Sequence, residues 1–181
     1  MKSVAIFCGS QPGRQDSYRE AAEDLVDVLV GQGVSIVYGG GNVGLMGIVA
    51  DRAMSLGGHV IGVIPNALVE MERAHNGISE LIHVDNMHER KQKMCELSDA
   101  FITLSGGTGS MDELFQELAH KQVGYHRKTC AILNTGGYYN HLLSWLENAV
   151  NEGFIDQQRY EQLLVDESPS QLVARMMESK E

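Results

Sequence analysis

The glycines of this chain follow its short apolar runs, and that pattern constrains the fold more than any other feature. Val4–Cys8 ends in Gly9-Ser10, and Val34–Tyr38 ends in Gly39-Gly40-Gly41. Ala100–Leu104 ends in Ser105-Gly106-Gly107, and Thr129–Leu133 in Asn134-Thr135-Gly136-Gly137. A short continuous apolar run suits a strand buried on both faces of a parallel sheet. Between the runs the apolar period becomes helical. Ser17–Gln32 carries Ala21, Ala22, Leu25, Val26, Leu29 and Val30, and closes with Gly31 and Gly33. Leu45–Leu56 predicts a second helix, stopped by Gly57-Gly58, and His59–Ile64 a third strand, closed by Pro65. Asn66–Glu80 lacks a period and reads as a surface loop or short lid helix. Leu81–Val84 is a short extended piece. Further helices are expected over Asn86–Leu97, with Asp85 or Asn86 as cap, and over Ser110–Val123, Tyr138–Asn151 and Ser168–Met177. Leu163–Val165 reads as a last edge strand. Strand–helix alternation from end to end predicts an α/β protein with an open, mostly parallel sheet and helices on both faces. At 181 residues this is one domain, 1–181.

Composition narrows the function. Fourteen basic and twenty-four acidic residues leave a net charge of −10, a field that repels phosphate backbones and argues against nucleic-acid binding. A small nucleotide remains compatible, because a local loop can hold phosphate against the global field. No apolar run approaches the roughly 18–20 residues of a membrane span. The start, MKSVAIFCGSQPG, has too short an apolar core for a signal peptide. Cys8, Cys95 and Cys130 are odd in number and far apart, which suits free thiols in the cytoplasm.

In a doubly wound sheet ligands bind beyond the carboxyl ends of the strands, where these glycine turns lie. Bare amides at a helix start make an anion site. Gly39-x-Gly41-x-x-Gly44 matches the dinucleotide fingerprint, but the following strand ends Gly62-Val63-Ile64-Pro65, with no acid for a ribose. A phosphate or close-packing role survives, and no Walker motif is present. Ser105-Gly106-Gly107-Thr108-Gly109-Ser110-Met111-Asp112-Glu113 combines glycines, hydroxyls and a helix start. It reads equally as a phosphate cradle or as a capped helix whose first-turn acids serve the dipole. Met87-His88-Glu89-Arg90-Lys91 taken alone reads as a solvated charged face; Gln92 rules out HExxH. Tyr125-His126-Arg127-Lys128 reads as an exposed turn. Neither the histidines nor the cysteines show metal-ligand spacing.

Three ordered motifs together carry a resemblance. They are Tyr38-Gly39-Gly40-Gly41-x-x-Gly44-Leu45-Met46-Gly47, Met87-His88-x-Arg90-Lys91 and Gly106-Gly107-x-Gly109-x-x-x-Glu113. Phe7-Cys8-Gly9-Ser10 and Leu133-Asn134-x-x-Gly137-Tyr138-Tyr139 extend the match from Val4 to about Phe154. The chain resembles the Lonely Guy family of cytokinin-activating phosphoribohydrolases, long mislabelled as lysine decarboxylases. The resemblance implies a Rossmann-like fold, a homodimer, and hydrolysis of the N-glycosidic bond of a nucleoside 5′-monophosphate. The products would be a free base and ribose 5-phosphate, the preferred substrates N6-modified AMPs, and no metal or redox cofactor is needed. It implies Arg90 and Glu113 as the catalytic pair; in a mechanism built on that pair, Arg90 binds phosphate or ribose oxygens and holds Glu113 in place. Lys91 and the loop Gly106, Gly107, Thr108, Gly109, Ser110, Asp112 are implied to contact the nucleotide, and Glu72 to be a substrate-binding acid. Gly9, Ser10, Gly40 and Gly41 are the remaining phosphate candidates. The chain departs from the family loop PGGxGTxxE: Ser105 replaces Pro, Ser110 replaces Thr, and Asp112 stands where Glu is common. Ser105 gives up the fixed φ of proline. The same scaffold also serves carriers of molybdenum cofactor, a phosphate-bearing pterin, which is the alternative reading. A decarboxylase would need a pyridoxal phosphate constellation that the sequence does not offer.

Overall fold

The computed structural model describes residues 1–178. Seven strands, β1 (Ser3–Phe7), β2 (Ser35–Tyr38), β3 (Val60–Pro65), β4 (Glu80–Val84), β5 (Ala100–Thr103), β6 (Thr129–Leu133) and β7 (Leu163–Asp166), form one sheet in the order β4-β3-β2-β1-β5-β6-β7. Every pairing is parallel. The helices are α1 (Asp16–Gly31), α2 (Gly44–Ser55), α3 (Met87–Glu96), α4 (Thr108–Gln122), α5 (Asn140–Asn151), α6 (Gln157–Glu161) and α7 (Pro169–Glu178).

Successive strand residues face opposite sides, so each strand feeds two cores. On β1, Val4 and Ile6 join Leu25 and Leu29 of α1, Val49 of α2 and Leu172 of α7. Ala5 and Phe7 join Met94 of α3, Leu114 of α4 and Leu146 of α5 on the other face. Burial on both faces is why these strands read as unbroken apolar runs.

The expected α/β architecture is present, with some differences in detail. The segment read as Leu81–Val84 is a full edge strand in register with β3, Ile61 opposite Glu80 through Pro65 opposite Val84. Helix α6 was not expected; it is short and polar, and depends on Asp156, whose carboxylate accepts from the amides of Gln158 and Arg159. Tyr125–Lys128 is not simply an exposed turn. Tyr125 is exposed, but the His126 side chain is buried against Glu117 of α4 at 3.0 Å. Lys128 donates through Nζ to the Cys95 carbonyl at 2.5 Å.

The strand order reverses at β1, which lies between β2 and β5. The loops that follow β1, β2 and β5 therefore gather at one end of the sheet, the switch point of such folds. Gly44 makes the packing there possible. Its φ of +54° is costly for any residue with a Cβ, and a Cβ there would run into the backbone of Ser10 and Gln11. The next amide, Leu45, donates to the Gly9 carbonyl at 3.0 Å, tying the start of α2 to the first loop. Gly44→Ala is expected to destabilise the protein by about 2 kcal/mol or more, because backbone cannot move aside as a side chain can. Denaturant unfolding of the purified variant checks this.

Candidate active site

The loop after β5 lies against the loop after β1, with the Gly9 amide donating to the Ser105 carbonyl at 3.1 Å. A Cβ at Gly106 would fall on the Ser110 hydroxyl, so the loop closes tightly over the first turn of α4. Gly107 is the N-cap, in extended conformation, and the helix begins at Thr108. Gly107, Thr108 and Gly109 are exposed, whereas Ser110 is buried. The orphan amides of a fifteen-residue helix thus open onto the switch point, a ready anion site. The helix starts two residues earlier than its sequence suggests, because Thr108 and Gly109 already take helical conformation. Asp112 and Glu113 consequently lie beyond the first turn, where the dipole reading of these acids loses its force.

Arg90 is the centre of the other half of the site. Asn86 caps α3, accepting from the Glu89 amide at 3.0 Å, and Glu89 reaches back to the Asp85 amide at 3.0 Å. This reciprocal cap fixes the start of the helix. Arg90 then points inward and is only 4% exposed, so the charged run is not a solvated face at this residue. Its Nε donates to the Val63 carbonyl at 3.1 Å, and Nη2 donates to the Gly39 carbonyl at 2.6 Å and to Glu72 Oε2 at 2.9 Å. Nη1 lies against the Met87 sulfur at 3.6 Å. A Cβ at Gly39 would overlap the guanidinium. Arg90 makes its direct ion pair with Glu72 and reaches Glu113 through its charge. The planar fork reaches two strand ends and this carboxylate at once, which leaves no donor directed at Glu113 among the described contacts.

Glu72 sits in the non-periodic stretch between β3 and β4. Its backbone carbonyl accepts from the Asn42 amide at 2.9 Å, and the His75 amide donates to the Gly40 carbonyl at 2.9 Å. Gly41 forms a bridge to Ala74, and a Cβ at Gly41 would press on Glu72. Gly40 and Gly41 are therefore buried seats for the segment that carries Glu72, an alternative to direct phosphate contact. His75 anchors that segment to α2, its Nε2 lying 3.0 Å from Asp51 Oδ1.

Glu113 is half-buried among Arg90, Glu72, Asp112 and Lys91. Burial pushes its carboxyl up to about 7, with Arg90 pulling the other way and Glu72 and Asp112 reinforcing the rise. Lys91 is tied to Asp112 at 2.9 Å, which joins α3 to α4 beside Glu113. Beneath lies the buried Cys8 thiol, held well above its usual range by burial and by the Glu113 charge. Ser10 is exposed at the rim. The structure thus brings Glu72, Arg90, Lys91, Asp112 and Glu113 together beside the Gly106–Ser110 loop.

Sequence reasoning missed the carbonyls of Gly39 and Val63, which hold Arg90, because a backbone acceptor carries no residue signature. It also missed a second polar cluster of Cys95, Glu117 and His126, whose ligand-type atoms lie within 4.8 Å of one another. His126 Nδ1 accepts from the Lys128 amide at 3.2 Å, so the ring proton sits on Nε2 and is donated to Glu117. These residues come from three separate elements, so no spacing in the sequence announces them.

Arg90→Ala is expected to cost about 3–5 kcal/mol of stability, since it strands the Glu72 carboxylate and two buried carbonyls. Arg90→Lys should recover part of this but not all, because one ammonium cannot reproduce the fork. Urea titrations of the two variants beside the parent protein measure both effects.

Comparison with known proteins bears on what this arrangement is. Residues 46–176 match the family described as possible lysine decarboxylase. Cytokinin riboside 5′-monophosphate phosphoribohydrolase LOG5 of Arabidopsis thaliana is 46% identical over 154 residues, 85% of this chain and 68% of that protein. The cytokinin riboside 5′-monophosphate phosphoribohydrolase of Rhodococcoides fascians is 46% identical over 155 residues, 85% of this chain and 78% of the relative. Among solved structures, the molybdenum cofactor binding protein of Rippkaea orientalis superposes with a TM-score of 0.72 at 19% identity, over 98% of this chain and 95% of that one. At that identity the likeness is one of fold. The two closer likenesses and the matched family agree with the motifs that surround the site, and the chain belongs to the Lonely Guy family, the one whose members long carried the lysine decarboxylase label.

Proposed function

We propose that this protein hydrolyses the N-glycosidic bond of a nucleoside 5′-monophosphate of the adenine class, N6-modified adenines included, to the free base and ribose 5-phosphate. The observation that carries this reading is the placement of Glu113 just beyond the first turn of a helix whose exposed N-terminal amides open at the switch point. The names of relatives at 46% identity support the substrate class. The 5′-phosphate binds the Gly106–Ser110 loop and the start of α4, and the ribose then lies over Glu113.

Cleavage passes through an oxocarbenium-like ribose. The C1′–N bond breaks with its electron pair leaving on the base. The Glu113 carboxylate stabilises the cation and accepts a proton from the water that adds to C1′, and the base takes up a proton. Arg90 acts through its field: it opposes burial and keeps part of Glu113 ionised near neutrality. Glu72, steadied by Arg90, offers its other oxygen to the ribose hydroxyls. Lys91 and Asp112 flank the nucleotide. Phosphate binding positions the ribose, so nucleotides are preferred to nucleosides. The chain works as a cytoplasmic homodimer, paired through α3 and α4. Light scattering on the purified protein checks this, with twice the chain mass expected.

Glu113→Gln should abolish turnover while leaving the fold intact. Because the Glu113 carboxyl is raised to about 7, kcat/KM should climb with pH up to about 7 and level off above it, the carboxylate being the active form. The stability effect has the opposite sense. Burial favours the neutral acid, so wild type loses stability relative to Glu113→Gln as pH rises from about 4.5 to about 7, and the difference levels off above that. Steady-state kinetics and thermal melts between pH 5 and pH 9 test both; undiminished turnover in Glu113→Gln removes the assignment.

A further inference from the structure

Three successive carbonyls at the start of the phosphate loop are each held by a donor from outside it. Tyr139 donates through its hydroxyl to the Leu104 carbonyl at 2.7 Å, the Gly9 amide to the Ser105 carbonyl at 3.1 Å, and the Tyr138 hydroxyl to the Gly106 carbonyl at 2.7 Å. In a trans peptide the C=O and the following N–H point in opposite directions. A hydroxyl that fixes the Gly106 carbonyl therefore also fixes the Gly107 amide, which faces the other way, at the exposed N-cap of α4.

The donors are themselves firmly mounted. Gly136 and Gly137 take φ of +59° and +72°, which turns the chain sharply after β6 and delivers two adjacent tyrosines to the loop. The Asn134 side chain accepts from the Tyr139 amide at 2.7 Å and donates to Asn140 at 2.8 Å. Tyr138 packs edge-on against Tyr139, ring centres 4.8 Å apart, and against Tyr18 of α1 at 5.6 Å. Burial holds the Tyr139 hydroxyl well above the usual phenol range, so it stays a donor. Ser105 lacks the ring that would fix its own φ, so the loop's shape depends on these external bonds.

We propose that Tyr138 and Tyr139 are positioning residues for the reaction: they clamp the carbonyls of the Gly106–Ser110 loop so that its amides are preset for the 5′-phosphate. The inference rests on the reading that this loop holds phosphate. Neither tyrosine needs to touch the reacting atoms.

Tyr138 is 44% exposed, so Tyr138→Phe removes one hydroxyl without opening the core. Calorimetry with ribose 5-phosphate should show affinity lowered about 3- to 10-fold, the loss of one ordering hydrogen bond. The ratio of kcat/KM for AMP over adenosine should fall by a similar factor, mainly through KM. Tyr139→Phe should lower the same ratio. A structural role alone would depress both substrates together and leave the ratio unchanged, and that result overturns the proposal. Unchanged ribose 5-phosphate affinity in Tyr138→Phe also overturns it. A wild-type protein that takes adenosine as well as AMP would instead remove the phosphate reading, and the clamp with it.

Discussion

A guanidinium removed from water has to be satisfied on every side, and Arg90 imposes that condition on this end of the molecule. It draws its acceptors from the ends of β2 and β3 and from the segment that carries Glu72. Desolvating such a charge costs several kcal/mol, and only good geometry with a full set of partners offsets it. The glycines at positions 39 and 41 follow from the same requirement. One leaves room for the guanidinium and the other for the Glu72 backbone. The triple-glycine turn that resembles a nucleotide fingerprint is therefore, in large part, the housing of an arginine.

The rest of the site's electrostatics builds on that charge. The chain carries a net −10, and Glu72, Asp112 and Glu113 converge at one end of the sheet. Without compensation these acids would repel both one another and a phosphate. Arg90 balances Glu72, and Lys91 balances Asp112. Glu113 is left without a direct ion-pair partner among the described residues, so burial dominates and its carboxyl rises to about 7. That is a useful value for the base role proposed for Glu113 near neutral pH. The positive end of α4 supplies the remaining attraction for an anion.

The fold was readable because its signals are local. Apolar runs ended by glycine mark strands buried on both faces, and helical periods between them give the alternation. Around Glu113 the sequence carries a local signal, the clustered glycines and hydroxyls of its loop, which by itself reads equally as a phosphate cradle or a capped helix. Arg90 was different. In isolation, Met87–Lys91 has the composition of a solvated helix face; its burial depends on acceptors some 27 and 51 residues away. Its ion-pair partner is equally hidden, since Glu72 lies in a stretch with no period at all. His126 and Glu117 repeat the lesson: a polar turn became buried through a contact nine residues back in the chain. Long-range polar pairing leaves little trace in a single sequence, whereas apolar periodicity leaves a clear one.

The most direct test of this account is chromatography of AMP and isopentenyl-AMP after incubation with the wild-type protein. Free base and ribose 5-phosphate should appear in equal amounts, with no added metal or redox cofactor. Intact nucleotides at high enzyme concentration would contradict it, and would leave the cleft as a binding site for some other phosphate-bearing ligand.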